Sequence, residues 1–253
     1  INIHPVFYLK GYNFLLEALA LIKYPSKFKN RLNDLLRVVE SSTFPRNQNL
    51  NALIFIYKYN NLFNLHVLEG DFNKSIKIIP KVLDGIETNK NFIDHHHIML
   101  LYYKIACMYF TVDDYENCIK YLSKIMKNKN IKMREDLQCF TRILNLIAHW
   151  EAGLDFNLDK IIKDTYNYLD KMNDLHEVQK TILKYLKGLE NIYPGEIKGF
   201  LRNLHSELKK YEDDPYEKRA FLYLDIISWL ESKISNKPVQ VIIKEKSLII
   251  NRK

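Results

Sequence analysis

The chain has 253 residues, 47% of them hydrophobic, with a formal net charge of +8 and seven each of glycine and proline. That apolar content supports a packed core and excludes wholesale disorder. Seven glycines are few for a Rossmann or P-loop enzyme, whose folds need repeated tight βα turns, and they suit helices joined by short turns. Apolar residues recur at three- and four-residue spacing almost throughout, so the elements read as helices and the breaks as helix stops. A first helix ends at Tyr24-Pro25-Ser26, where proline opens a second that stops at Ser41-Ser42-Thr43-Phe44-Pro45. Glu69-Gly70-Asp71 is a tight turn, residues 88–91 a looser break, and Val112-Asp113-Asp114 and Ala152-Gly153-Leu154 repeat the tight turn. Tyr193-Pro194-Gly195-Glu196 and the stretch 213–217 each set proline at a helix start with acid in the first turn. About eleven helices are expected. Residues 238–250 are rich in β-branched side chains and poor in helix character. The chain therefore divides into a helical repeat domain, 1–235, and a short extended or β-like basic tail, 236–253. The first residue is Ile1, so the chain is expected to begin inside a longer protein.

The tight turns at Gly70, Asp113 and Gly153 recur at about forty residues, the signature of a helical-hairpin repeat. Each is followed by a helix with one apolar face: Phe72, Ile76, Ile79 and Val82; Tyr115, Ile119, Leu122 and Ile125; Phe156, Ile161, Ile162 and Tyr166. The middle unit, 102–122, resembles a tetratricopeptide repeat. Tyr102 takes its large first position, Ile105-Ala106 its Leu-Gly pair and Tyr109 the next aromatic. Asp114-Tyr115 sits at its turn, Cys118 in its small slot and Leu122 in the aromatic slot of the second helix. The flanking units match less well: Phe63 fills a small slot, and Asn145 and His149 fill apolar ones. The segment 136–150 also resembles tetratricopeptide proteins of Bacteroidetes, which implies a fold and no activity. The resemblance implies an all-α, right-handed superhelix of antiparallel helical hairpins.

No motif points to catalysis. GxxxxGK[ST], GxGxxG and GxSxG are absent from the sequence. Adjacent histidines in Asp94-His95-His96-His97 do not share a helix face, so the run reads as a helix start and not as a metal site. His176-Glu177 begins like a zincin helix, but Lys180 stands where the second histidine belongs. Glu212, Asp213 and Asp214 read as a helix cap. Cys107, Cys118 and Cys139 have no CxxC spacing and read as buried thiols of a reducing, cytoplasmic protein. No apolar run is long enough to span a bilayer. No enzyme activity, cofactor or metal is expected.

In a stacked-hairpin array the first helix of each pair lines the concave face. Through the repeat alignment the expected contact residues for a peptide or protein partner are Tyr57, Asn60 and Asn64, then Tyr103, Cys107 and Phe110, then Arg142, Asn145 and His149. The last three are polar entries in an apolar helix. They either line a groove, where Arg and Asn can bond a carboxylate or a peptide backbone, or satisfy one another as buried polar groups. Two other partner classes stand beside this one. The basic loop 124–134, with Lys124, Lys127, Lys129, Lys132 and Arg134, suits nucleic acid, and the β-branched tail suits self-association into a homo-oligomer.

Overall fold

The computed structural model describes residues 4–128, 135–154, 157–172, 175–189, 192–217, 220–223 and 225–250. Lys129, Lys132 and Arg134 of the basic loop, Phe156 and residues 251–253 lie outside them. The described residues are all-α, with no strand among them. In chain order the helices are α1 (Pro5–Leu21), α2 (Pro25–Glu40), α3 (Gln48–Glu69), α4 (Phe72–Thr88), α5 (His95–Thr111), α6 (Tyr115–Met126), α7 (Glu135–Glu151), α8 (Leu158–Leu169), α9 (Glu177–Leu189), α10 (Ile197–Lys209), α11 (Ala220–Tyr223), α12 (Ile226–Ser235) and α13 (Val239–Ile250). A 3-10 turn, Pro194–Glu196, leads into α10. Twelve of these have ten residues or more, against the eleven expected from the breaks, and α13 is the addition. None is long and apolar enough to cross a membrane.

The tail is a correction to the sequence reading. Residues 239–250 are helical, not extended or β-like. Val239, Ile242, Ile243 and Ser247 are buried, and that spacing is one helix face. Burying the face outweighs the weak β preference of the same residues, which spans only about 1 kcal/mol per position.

One turn recurs along the chain. Lys23, Gly70, Asp113, Gly153 and Asn236 each adopt a left-handed conformation, with φ between 51 and 67°. After four of them the same pair of backbone bonds closes the preceding helix. Tyr24 N–H reaches Leu19 O and Lys23 N–H reaches Ala20 O. Asp71 and Gly70 reach His66 and Val67, Asp114 and Asp113 reach Tyr109 and Phe110, and Leu154 and Gly153 reach His149 and Trp150. This is the Schellman closure, which satisfies the last carbonyls of a helix and reverses the chain within two residues. The next helix follows at once, opened by Pro25 at the first position of α2 and by Asp114 in α6, whose Oδ1 accepts from Asn117 N at 3.1 Å. The first four turns lie at intervals of 47, 43 and 40 residues, so they punctuate successive hairpins.

The chain forms two compact units: Ile1–Lys104 with Ile243–Lys253, and Ile105–Ile242. In the first, α1, α2 and α3 pack on one another and α4 packs on α3. The core holds Leu9, Leu16 and Leu19 of α1, Phe28, Leu32, Leu35 and Val39 of α2, and Leu50 and Ile56 of α3. The α2 residues follow the i, i+4, i+7, i+11 rule of a helix with one buried face. Gly85 of α4 admits the Phe55 ring: a Cβ there would stand 2.1 Å from Phe55 Cε2. The later half of α13 sits on the α3–α4 turn. Ser247 Oγ is 3.4 Å from Glu69 O, and a Cβ on Gly70 would come within 2.9 Å of Lys244 Cα.

In the second unit α6 through α10 pack each on the next, and α10 packs on α12. Ala106 of α5 and Cys118 of α6, the small residues at which these helices are expected to approach, are fully buried, and Tyr109 stacks on Tyr121 with ring centroids 5.8 Å apart. Two acids tie distant elements. Glu151 at the end of α7 accepts from Trp229 Nε1 at 2.6 Å and from Lys233 Nζ, both on α12. Buried Glu217 Oε2 accepts from Val178 N at 3.1 Å, which caps α9 from 39 residues away.

Candidate functional site

Four of the expected contact residues belong to the first unit. Tyr57, Asn60 and Asn64 recur along α3 at three- and four-residue spacing, on one face. Tyr57 and Asn60 are buried, and so is Tyr103 of α5, which is 1% exposed. Asn64 is partly exposed, and its Oδ1 accepts from Lys104 Nζ. Beside this face lies a polar seam that the repeat alignment does not single out. Asn61, fully buried, donates through Nδ2 to Asn13 Oδ1 at 2.9 Å and to Tyr57 O at 2.8 Å, and Asn13 donates to Glu17 Oε1 at 2.8 Å. Oδ1 of Asn60 and Oδ1 of Asn61 find no partner among the described residues.

The other five expected residues belong to the second unit. Phe110 is buried and meets Tyr115 edge-on, and Cys107 is partly exposed and in no disulfide. Arg142, Asn145 and His149 share one face of α7, and Gln138, four residues before Arg142, extends it. The stripe 138–142–145–149 thus follows i, i+4, i+7, i+11. Gln138 is 4% exposed and donates through Nε2 to Ile125 O at 3.2 Å, near the end of α6. Arg142 is half-buried. Its Nη1 donates to Gln138 O at 3.1 Å and to Gln138 Oε1, and its guanidinium lies over the Tyr168 ring of α8, 3.5 Å from the centroid. Asn145 is 7% exposed and its Oδ1 has no partner among the described residues. His149 is partly exposed, and its Nδ1 donates to Asn145 O at 2.8 Å.

Electrostatics follow from burial. Desolvation lowers the pKa of Arg142, opposed by Tyr168 and Cys139. Burial raises the Tyr168 phenol, while Arg142 pulls it down. Burial also pushes the Cys139 thiol up to about 12 and the Cys118 thiol well above its ordinary value, so neither is a ready thiolate. Arg142 is held by Gln138 and Tyr168, His149 by the backbone carbonyl of Asn145, and Asn145 Oδ1 has no partner among the described residues. Gln138 carried a sequence signal, its i−4 spacing from Arg142. Tyr168 carried none, because a stacking partner on another helix has no local pattern.

The remaining motifs take structural places. Asp94 opens α5, accepting from His97 N at 2.9 Å while its other oxygen meets His97 Nδ1 at 2.7 Å. Among the described residues no group of three or more His, Cys, Asp or Glu is arranged to hold a metal ion. Glu212 pairs with Lys209, and Asp214 Oδ1 accepts from Tyr216 N and Glu217 N. Lys124, expected in the basic loop, lies instead in the last turn of α6, 5.1 Å from the Tyr121 ring centroid. No protein-family model, curated protein or solved structure matches the chain.

Proposed function

We propose that this chain is a non-catalytic scaffold of tetratricopeptide-like hairpins that binds an extended peptide or protein segment, with the polar stripe of α7 among its contacts. The observation that supports this reading is unspent bonding capacity on that stripe. A helix otherwise buried in apolar contacts carries a half-buried guanidinium, a carbonyl oxygen with no partner among the described residues and an imidazole at one-turn intervals. Such groups cost stability in the empty protein, about 1–3 kcal/mol for a buried acceptor left unpaired. A peptide backbone supplies the alternating donors and acceptors that would satisfy them.

The test is selection of displayed random dodecapeptides on the immobilised protein. Peptides are expected to enrich and to bind the Asn145→Ala/His149→Ala variant about tenfold more weakly or worse, the scale of one lost good hydrogen bond. Enrichment without that loss would move the contact surface away from α7. No enrichment at all would remove the peptide-binding reading.

A further inference from the structure

We infer that Arg142 is the recognition point for a carboxylate side chain, so that the peptide bound at the α7 stripe carries an aspartate or glutamate there. This rests on the scaffold reading and names the chemistry of the same site.

The guanidinium is held before any ligand arrives. Tyr168 fixes its plane from α8. Both bonds of Nη1 go to Gln138, and Gln138 is itself pinned to the end of α6 through Ile125 O. Three helices therefore set one side chain. Of the five guanidinium N–H groups, the pair on Nη1 is used. The Nε and Nη2 edge has no partner among the described residues, and that edge offers two parallel donors at the spacing of a carboxylate. Charge balance points the same way. Arg142 is half-buried, and among the described residues no carboxylate pairs with it. Glu135, two turns earlier on the same face, is exposed and forms no ion pair with Arg142. A cation in that position is completed by one negative charge. A carboxylate carries one, whereas a phosphate dianion would need further cations, and the stripe 138–142–145–149 holds none that is permanently charged. One turn on, the unpaired Asn145 Oδ1 suits an N–H of the residue bearing the carboxylate once its amide turns toward the ligand. An acidic residue within a peptide supplies both groups.

The probe is N-acetyl-glutamate N-methylamide, titrated into 15N-labelled protein while the Arg142 Nε–Hε resonance is followed; Arg142→Lys identifies that resonance by its loss. A saturable shift is expected, with the glutamine analogue about tenfold weaker or worse, as a charge-assisted bond requires. Sodium phosphate at equal ionic strength is expected to give no saturable shift. No shift with the glutamate compound overturns the proposal, and so does an equal response to the glutamine analogue or to phosphate. The two readings fail separately. Displayed peptides that bind the α7 stripe but contain no acidic residue would overturn the carboxylate assignment and leave the scaffold standing. Failure to enrich any peptide would overturn the scaffold, while the small-molecule titration still reports on Arg142.

Discussion

Asn145 places a buried carbonyl oxygen without a partner among the described residues in the middle of α7, and a residue kept at such a cost separates stability from binding. Asn145→Leu removes the unpaired acceptor and fills a similar volume. It is expected to raise stability to urea by about 1 kcal/mol while weakening the selected peptides; a variant that loses both would mark Asn145 as structural only. His66 gives a second test. It is 6% exposed, its Nδ1 shares a 2.9 Å bond with Ser75 Oγ, and burial holds its pKa below the ordinary value. The unfolded chain therefore takes up this proton first as pH falls below about 6.5. The contribution is whole above that pH and declines below it until the lower, folded pKa is passed. The urea midpoint is expected to drop between pH 7.5 and 5.5, and to drop less in His66→Gln; equal drops would assign the effect to other groups. At this scale the sequence showed which side chains were out of place. Arg142, Asn145 and His149 stood out as polar residues in an apolar helix. It could not show that Asn61 and Asn13, 48 residues apart, bond each other, because such pairing follows from packing.

Most helices were legible because proline, glycine and acid clusters mark their ends, and those marks act locally through φ restriction and capping. The failure at α13 is of another kind. Val239, Val241, Ile242 and Ile243 favour strands by local preference, and only burial of 239, 242, 243 and 247 makes the helix. Gly70 bears on that helix directly. Its φ of +66° already disfavours a side chain, and a Cβ would meet Lys244 Cα at 2.9 Å. Gly70→Ala is expected to cost more than about 1 kcal/mol and to lower amide-exchange protection in 239–250; unchanged protection there would show that α13 does not depend on this seat. Gly85→Ala tests the α3–α4 contact. The Phe55 ring must move, at about 1–3 kcal/mol. Phe55→Leu is expected to recover part of the loss in a double-mutant cycle, whereas strict additivity would deny the clash.

Across the whole molecule the formal net charge is +8. Many lysines lie in exposed ion pairs, including Lys29 with Glu69, Lys58 with Glu40, Lys74 with Asp71 and Lys180 with Glu177. Pairs of that exposure contribute about 0–1 kcal/mol each and are screened by salt. The melting temperature is accordingly expected to shift by only a few degrees, about 4 °C or less, between 50 and 500 mM sodium chloride. A larger fall would mean that the surface pairs carry more of the stability than the apolar cores. The fold class was readable because helical periodicity runs through the whole chain. The division into two compact units was not, since its boundaries fall inside α5 and α13, where no local signal interrupts the helix.

The five left-handed turn residues are Lys, Gly, Asp, Gly and Asn. The turn geometry is thus written in backbone bonds, and each side chain other than glycine's held in that conformation costs about 1–2 kcal/mol. Joints of this kind hold their geometry across different side chains, so the reversal of the chain between these helices is set by the backbone more than by the residue at the turn.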